Sequence, residues 1–172
     1  MSETITLAGG CFWCTESVFI RIPGVLKSVS GYANGTKDHP TYQEVCTGAT
    51  GHAEVVQVTF DPAVASLDAL LDLFFHAHDP TTLNRQGEDR GTQYRSGIYW
   101  TTEAQRTAAE AAKARAQGER SVPVVTEVKA LTAFWPAEEY HQDYFNKNPN
   151  QAYCRAVIPP KLKKLGLSVA GL

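Results

Sequence analysis

The chain has 172 residues, 43% of them hydrophobic, with 16 basic and 18 acidic residues and a formal net charge of -2. This composition is typical of one globular domain with a contiguous core, and it excludes a broad cationic surface for nucleic acid or anionic lipid. The first residues lack the regions of a signal peptide, and no run approaches the ~18 apolar residues of a membrane span. We therefore predict a cytoplasmic protein with no membrane partner, and we expect a monomer.

Strand and helix patterns alternate through the first half of the chain. The periodicity predicts strands over residues 4–8, 25–32 and 53–60, helices over 11–22 and from Ser66 to about His78, and mostly loop over 36–51. In the strand over 53–60, Val56, Val58 and Phe60 share one face. Glu54 falls in register with that apolar face, which predicts a carboxyl group on the core side.

The second half begins with a polar loop over residues 81–93, a length typical of a functional or disordered segment. The patterns then predict a strand over 96–100, a helix from a Thr102 and Gln105 capping box to Gly118, a strand over 122–130, and a last helix that starts at Pro136 and carries Tyr140 and Tyr144. Asn148-Pro149-Asn150 ends this last helix.

This alternation predicts an α/β (α+β) two-layer sandwich, in which helices pack on a mixed sheet and the C-terminal tail is irregular. We expect residues 1–172 to form a single catalytic domain. Within it, residues 148–172 are predicted to be a mobile tail that carries Cys154.

Four cysteines, at positions 11, 14, 46 and 154, are too few for a disulfide scaffold and favour reactive thiols. Cys11 follows Gly9-Gly10 at the start of a predicted helix. The free N–H groups of a first helical turn are expected to lower the thiol pKa below its usual value of about 8.5. Cys46, next to Val45, is expected to be a small buried hydrophobic residue.

The spacing of Cys11 and Cys14 leaves two kinds of site open. A C-x-x-C pair at the start of a helix permits a redox disulfide, as in thioredoxin-like proteins. It is also half of a zinc site, which His52 and His141 could complete in space, although no second pair with ligand spacing follows.

Glu54 is the strongest candidate for an acid. Burial raises the pKa of a carboxyl group, and a carboxylic acid that keeps its proton near neutral pH can act as a general acid. The alternative is a strand-end glutamate that faces solvent. Tyr42 is a possible hydroxyl donor or a half-buried structural residue, and the loop over residues 84–95 either binds a polar group or is solvated.

Several strings of the sequence resemble the peptide methionine sulfoxide reductase A family, over roughly residues 5–155. They are Gly10-Cys11-Phe12-Trp13, Gly51-His52-Ala53-Glu54, the run from His78 to Gly87, Asp89, and the run from Gly91 to Ser96.

The resemblance implies that Cys11 is the nucleophile that attacks the sulfoxide sulfur and becomes a sulfenic acid. It further implies that Phe12 and Trp13 form an apolar pocket for the S-methyl group. It also implies that Glu54, Tyr42 and Tyr94 surround the sulfoxide oxygen. Asp89 would steady the network that these three residues form.

A second thiol must then condense with the sulfenic acid, and the resemblance implies a resolving cysteine in the tail. Cys154 follows Asn148-Pro149 and Tyr153, as in the family. Cys14 stands where members of the family commonly carry glycine, and it is the alternative resolving residue. We favour Cys154, because a bond between Cys11 and Cys14 would have to fit the first turn of a helix.

By the same resemblance, the substrate is the S epimer of methionine sulfoxide, free or in oxidised proteins, and thioredoxin is the reductant, with no metal or organic cofactor. Two other functions stay open at this point. One is a thioredoxin-like dithiol oxidoreductase that uses Cys11 and Cys14, and the other is a redox-sensing or peptide-binding module that binds methionine side chains without turnover.

Overall fold

The computed structural model describes residues 1–169, and the last three residues lie outside the described part. In chain order, the strands are β1 (Glu3–Gly9), β2 (Val25–Ala33), β3 (Ala53–Phe60), β4 (Arg85–Gln86), β5 (Asp89–Arg90), β6 (Ser96–Trp100), β7 (Glu127–Ala130) and β8 (Phe134–Pro136). The helices are α1 (Phe12–Phe19), α2 (Tyr42–Cys46), α3 (Leu67–Ala77), α4 (Glu103–Gly118), α5 (Tyr144–Lys147) and α6 (Ala152–Lys164).

Six of the strands form one sheet in the order β7-β6-β1-β3-β2-β8, while β4 and β5 pair as a separate hairpin. The neighbours in the sheet are antiparallel except for β6 and β7, which are parallel. The predicted mixed sheet with helices packed on it is therefore confirmed. β1 and β3 lie side by side in the middle, so the turn after β1 and the start of β3 bring their residues to the same end of the sheet.

The main hydrophobic core lies between this sheet and the helices. Alternate side chains of β3, Val56, Val58 and Phe60, are completely buried in it, as the predicted period of two requires. Apolar residues of α1, α3 and α6 complete the same cluster. Glu54 continues this face of β3 and is only 1% exposed.

The helix starts that were predicted from local capping residues agree with the structure. The Ser66 hydroxyl accepts the Ala69 N–H at the start of α3, and Thr102 accepts the Gln105 N–H at the start of α4. The predicted loop over residues 36–51 also contains α2, which begins in a capping box of Thr41 and Glu44. That signal is present in the sequence, and the prediction missed it.

The predicted helix from Pro136 is wrong. Pro136 ends β8, an edge strand that pairs with β2 opposite Gly31. Proline is tolerated there because an edge strand need not donate every N–H to a neighbour. The strand predicted over residues 122–130 is shorter than expected, since only Glu127–Ala130 pairs with β6.

The tail is not irregular, since α6 occupies most of it. Cys154, Ile158 and Leu162 recur every fourth residue and are completely buried, so they give α6 one apolar face against the core. Pro159 and Pro160 lie inside this helix without ending it. The mobility of residues 148–172 stays a prediction, and residues 170–172 of that segment lie outside the described part.

No helix among residues 1–169 is long and apolar enough to cross a membrane.

Candidate active site

Cys11 lies at the junction of β1 and α1, where it is the N-cap residue of the helix and is partly exposed. Gly10, before it, has a φ of +93°, and a Cβ on this glycine would lie 2.7 Å from Cβ of Gln86. The turn therefore requires glycine both for its backbone conformation and for its close approach to Gln86 of β4. It sets the thiol at the start of the helix, as predicted.

The thiols of Cys11 and Cys14 act as a pair that carries a single negative charge between them. The hydrogen bond between them lowers the pKa of Cys14 to about 7 and raises the pKa of Cys11 well above its usual value. Burial and the nearby charges of Cys14 and Glu54 also raise the pKa of Cys11. The expected fall in the Cys11 pKa is thus wrong for the dithiol at rest. The pair loses one proton near neutral pH, because two thiolates in contact would repel each other.

Tyr153 connects the dithiol to Asp89. Its hydroxyl donates to Asp89 Oδ2 over 2.6 Å and lies 3.7 Å from Cys14 Sγ. Asp89 comes from β5 and Tyr153 from α6, so the hairpin and the last helix meet at the thiols. A cavity of about 310 Å³ opens here, with Cys11, Cys14, Asp89 and Tyr153 among its lining residues.

Glu54 approaches the dithiol from β3, although it is not among the residues that line this cavity. Its Oε1 accepts the backbone N–H of Phe12 over 3.1 Å, whereas its Oε2 is buried with no hydrogen-bond partner in the described structure. Burial raises the pKa of this carboxyl group to about 8, and the charges of Asp89 and Cys14 act in the same direction. The carboxyl group therefore holds a proton at neutral pH, and its free oxygen can donate it.

Two tyrosines lie near this carboxyl group. Burial raises the pKa of both Tyr42 and Tyr94, and the charge of Glu54 raises them further. Tyr42 begins α2, and Tyr94 ends a 3₁₀ turn over Thr92–Tyr94. Both phenols stay protonated and can donate hydrogen bonds. Cys46 is exposed near Tyr42, so the prediction that it packs in the core is wrong.

The aromatic residues after Cys11 lie in a cluster of rings. Phe12 is buried, with its ring centroid 5.7 Å from Tyr32 and 5.1 Å from His141. Trp13 stacks on Tyr144 at 3.9 Å with an angle of 7° between the ring planes. The rings of this cluster pack against one another beside Cys11.

His141 belongs to this cluster, and its role was missed. Its Nδ1 accepts the indole N–H of Trp13 over 3.0 Å. We call residues 138–144, which carry His141 and Tyr144, the wall segment. The sequence signal for this segment is weak, because several of its hydrogen bonds join it to residues more than 100 positions away.

The histidines named for a zinc site make other contacts. His52 Nδ1 accepts the Gly35 N–H over 3.0 Å, and its Nε2 lies 2.7 Å from the Lys37 carbonyl oxygen. His141 accepts from Trp13. Within residues 1–169, no three side chains of histidine, cysteine, aspartate or glutamate are grouped to hold a metal ion.

Cys154 is completely buried in the first turn of α6. Its backbone N–H bonds to the Gln151 side chain over 2.9 Å. Burial and, to a smaller extent, the charge of Cys14 raise the pKa of its thiol to about 11. In this state Cys154 is a neutral thiol packed in the core, not a residue of a solvated tail.

A pair of thiols that loses one proton near neutral pH can deliver two electrons and form a disulfide. The fold and this dithiol together define a thiol-dependent oxidoreductase. The family model described as peptide methionine sulfoxide reductase matches residues 3–169. The chain belongs to this family, and the resemblance seen in the sequence is confirmed.

Relatives from two microorganisms carry names that agree with this family. A protein of Haloquadratum walsbyi named peptide methionine sulfoxide reductase MsrA is 53% identical over 165 residues, which cover 96% of this chain and 95% of the relative. A protein of the same name in Acinetobacter baumannii is 55% identical over 157 residues, which cover 91% of this chain and 90% of the relative. The enzyme class expected from the sequence is therefore confirmed.

Solved structures show the same fold. Mxr1 from Saccharomyces cerevisiae in reduced form gives a TM-score of 0.84 at 42% identity, covering 89% of each chain. Methionine sulfoxide reductase A of Corynebacterium diphtheriae gives 0.79 at 37% identity, covering 87% of this chain and 76% of that one. Mxr1 in complex with Trx2 gives 0.60 at 29% identity, covering 83% of this chain and 84% of that one.

Proposed function

We propose that this protein reduces the S epimer of methionine sulfoxide, free or in oxidised proteins, with Cys11 as nucleophile and Glu54 as acid. The observation that carries this proposal is the unpartnered Oε2 of Glu54, a buried oxygen of a carboxyl group whose pKa burial raises to about 8. A sulfoxide oxygen needs a proton before it can leave sulfur. A neutral carboxylic acid with one free oxygen is suited to provide it.

The first step transfers the oxygen atom to the enzyme. Before it, the dithiol proton moves to Cys14, so that Cys11 attacks the substrate sulfur as a thiolate. Attack joins Cys11 Sγ to the substrate sulfur while Glu54 gives its proton to the oxygen. The oxygen then passes to Cys11, so that the S–O bond of the substrate and the new S–S bond both break and Cys11 becomes a sulfenic acid. The substrate sulfur gains two electrons and leaves as methionine, while Cys11 is oxidised by two electrons.

The tyrosines stabilise charge on the departing oxygen. Tyr42 and Tyr94 keep their protons because burial and the charge of Glu54 raise their pKa values. Their hydroxyl groups are proposed to donate hydrogen bonds to the oxygen as negative charge develops. Asp89 steadies this side of the site through its short bond from Tyr153.

Phe12 and Trp13 are proposed to form the pocket for the S-methyl group. The packing of Phe12 against Tyr32 and His141, and of Trp13 against Tyr144, supports an apolar, preformed surface next to Cys11. Burial of the methyl group on this surface is favourable, whereas the sulfoxide oxygen is directed to the polar groups.

For resolution of the sulfenic acid, we propose Cys154, with Cys14 as the alternative. The charge of Cys14 raises the pKa of Cys154, which supports a position of Cys154 close to the dithiol. Cys14 is in contact with Cys11, but a disulfide between them must fit the N-terminal turn of α1. Either disulfide forms with loss of water from the sulfenic acid and a thiol.

Thioredoxin is the proposed reductant of this disulfide. The support is the solved complex of the related Mxr1 with Trx2. The proposal requires no metal or organic cofactor, since the electrons come from thiols at every step. We propose that the protein acts as a monomer in the reducing cytoplasm.

The contact between Cys11 and Cys14 also favours a second candidate function, a thioredoxin-like dithiol oxidoreductase. One experiment separates the two. The purified protein is incubated with racemic N-acetyl-methionine sulfoxide and dithiothreitol, and each epimer is followed by chiral chromatography, with insulin disulfide reduction measured in parallel. Loss of the S epimer alone supports the proposed function, whereas insulin reduction without sulfoxide loss supports the second candidate.

A further inference from the structure

Tyr42 is the first residue of α2, so the position of its phenol depends on how this helix is held. The helix has five residues, and a helix this short gains little stability from its own hydrogen bonds. The N–H group of a first helical residue has no carbonyl partner inside the helix. The Tyr42 N–H instead donates to Glu138 Oε2 over 3.0 Å, across 96 positions of the chain.

The other oxygen of the Glu138 carboxyl group is bonded to the sheet. Glu138 Oε1 accepts the Tyr32 hydroxyl over 2.8 Å, and Tyr32 is a completely buried residue of β2. In the pairing of β2 with β3, Tyr32 lies directly opposite Glu54. Glu138 therefore connects the start of α2 to the strand position beside the proposed acid.

Glu138 is suited to accept both bonds as an anion. Partial burial raises its pKa, but the hydrogen bonds from the Tyr42 N–H and the Tyr32 hydroxyl outweigh this effect, and the pKa lies below its usual value. The group is therefore ionised near neutral pH. Hydrogen bonds to a carboxylate are stronger than those between neutral groups, which favours a fixed geometry at both contacts.

The ring of Tyr42 packs against the wall segment that Glu138 begins. Its centroid lies 4.5 Å from that of His141 and 6.4 Å from that of Phe12. The His141 N–H donates to the Glu138 carbonyl oxygen over 2.9 Å, which closes the 3₁₀ turn that carries the His141 ring. Because Phe12 follows Cys11 in the chain, this packing places Tyr42 on the side of the proposed nucleophile.

We propose that Glu138 is a positioning residue for sulfoxide reduction: its side chain holds the backbone of Tyr42 to β2, so that the Tyr42 phenol is aligned with Glu54 for the departing oxygen. This inference rests on the proposed function. It adds that the rate of the first step depends on a carboxylate that acts through Tyr42 and not on the substrate itself.

The side chain of Glu138 can be removed without releasing the rest of the wall segment. Gln142 holds this segment to β2 independently, since its side chain accepts the Ser30 N–H over 2.9 Å and donates to the Ser30 carbonyl oxygen over 2.8 Å. The rings that contact Trp13 should therefore stay in place when the Glu138 side chain is lost. Alignment of Tyr42 should change while the proposed methyl pocket does not.

The test is Glu138→Ala, assayed with N-acetyl-methionine sulfoxide in single turnovers without reductant, so that the rate reports the first step alone. A hydrogen bond to a developing oxyanion strengthens in the transition state, so a misplaced donor lowers the limiting rate more than it weakens binding. We expect the limiting rate to fall about tenfold or more, with the half-saturating substrate concentration within about twofold of that of the unsubstituted protein. Glu110→Ala, on the exposed face of α4, is the matched control and should change neither quantity.

Glu138→Gln separates the geometry of the side chain from its charge. The amide oxygen can accept the Tyr42 N–H while the NH₂ group donates to the Tyr32 hydroxyl oxygen, so both contacts can persist. We expect this variant to keep a limiting rate within about threefold of the unsubstituted protein. A rate as low as that of Glu138→Ala would overturn the proposal.

A double-mutant cycle with Tyr42→Phe shows whether Glu138 acts through the phenol. If it does, the variant with Glu138→Ala and Tyr42→Phe together is no slower than Tyr42→Phe alone. The proposal is overturned if the two effects multiply, or if Glu138→Ala keeps its limiting rate within about twofold of the unsubstituted protein.

Hydrogen exchange on the unsubstituted protein guards against a variant that fails to fold. The Tyr42 amide proton should exchange at least about tenfold more slowly than in an unstructured peptide, and exchange at the peptide rate would contradict the bond to Glu138. Failure of the proposed function is distinguishable, because the unsubstituted protein itself would then leave the sulfoxide unreduced.

Discussion

The backbone N–H of Phe12 donates to Glu54 Oε1 over 3.1 Å, and this bond joins the buried carboxyl group to the residue that follows Cys11. One oxygen of the proposed acid is thereby held by the helix that Cys11 begins, and the other has no hydrogen-bond partner in the described structure. The bond also accounts for the orientation of a carboxyl group that forms no ion pair within residues 1–169. Several measurable effects depend on this arrangement.

Glu54→Gln should reduce kcat for methionine sulfoxide by about 10²- to 10⁴-fold, because the amide keeps the shape of the side chain but cannot supply the proton. The rate of Cys11 alkylation, measured on the same preparation, should change far less, since the thiol remains in place. Retention of full sulfoxide reductase activity would rule out Glu54 as the acid.

The pH profile of kcat/KM should be a narrow bell. Activity rises as the dithiol loses its proton near the Cys14 pKa of about 7, and it falls as Glu54 loses its proton near about 8. Steady-state assays across this range test the prediction. In Glu54→Gln the fall at high pH should disappear from the residual activity, and an unchanged fall would assign it to another group.

Glu54→Gln should also stabilise the fold, increasingly so as the pH rises. The pKa of Glu54 is raised from 4.5 to about 8 by burial, so the folded protein holds a proton that the unfolded chain releases. The stability of the unsubstituted protein therefore falls as the pH rises through this range, whereas a glutamine contributes no such loss. At pH 8 we expect a gain of about 1–3 kcal/mol in the free energy of unfolding.

Urea unfolding at pH 5 and at pH 8 measures this difference. Glu110→Gln, at an exposed position of α4, supplies the control and should show the same small change at both pH values. A Glu54→Gln variant that is less stable than the unsubstituted protein at pH 8 would mean that the carboxyl group is not buried unpaired.

Cys154→Ser should allow one round of methionine formation and then stop. In a single-turnover reaction without reductant, about one equivalent of methionine should form, with Cys11 left as a sulfenic acid that dimedone traps. Cys46→Ser, which removes an exposed thiol, should leave the disulfide unchanged. Peptide mapping that finds Cys11 joined to Cys14 in the unsubstituted enzyme would assign resolution to Cys14 instead.

The sequence predicts the position of Glu54 well because a strand has a period of two. Val56, Val58 and Phe60 mark the buried face, and Glu54 must follow them into the core. The caps at Ser66 and Thr102 are predictable for a similar reason, since each hydrogen bond joins residues three positions apart.

Contacts between distant residues explain what the sequence did not predict. Pro136 has the local signal of a helix start, but pairing with Gly31 places it in a strand. His141 and Tyr153 obtain their roles from Trp13, Asp89 and Cys14, none of which is near them in the chain. The pKa of Cys11 depends on the contact with Cys14, which overrides the effect of the helix N-terminus.

Different parts of the fold hold the residues proposed for the reaction and those proposed for substrate recognition. The thiol that follows β1 and the acid on β3 keep their separation through the backbone ladder of two adjacent central strands. The proposed methyl pocket instead depends on side chains of the wall segment, which contact Trp13. Sequence changes in that segment can therefore alter which oxidised methionines are accepted while the chemistry is inherited unchanged.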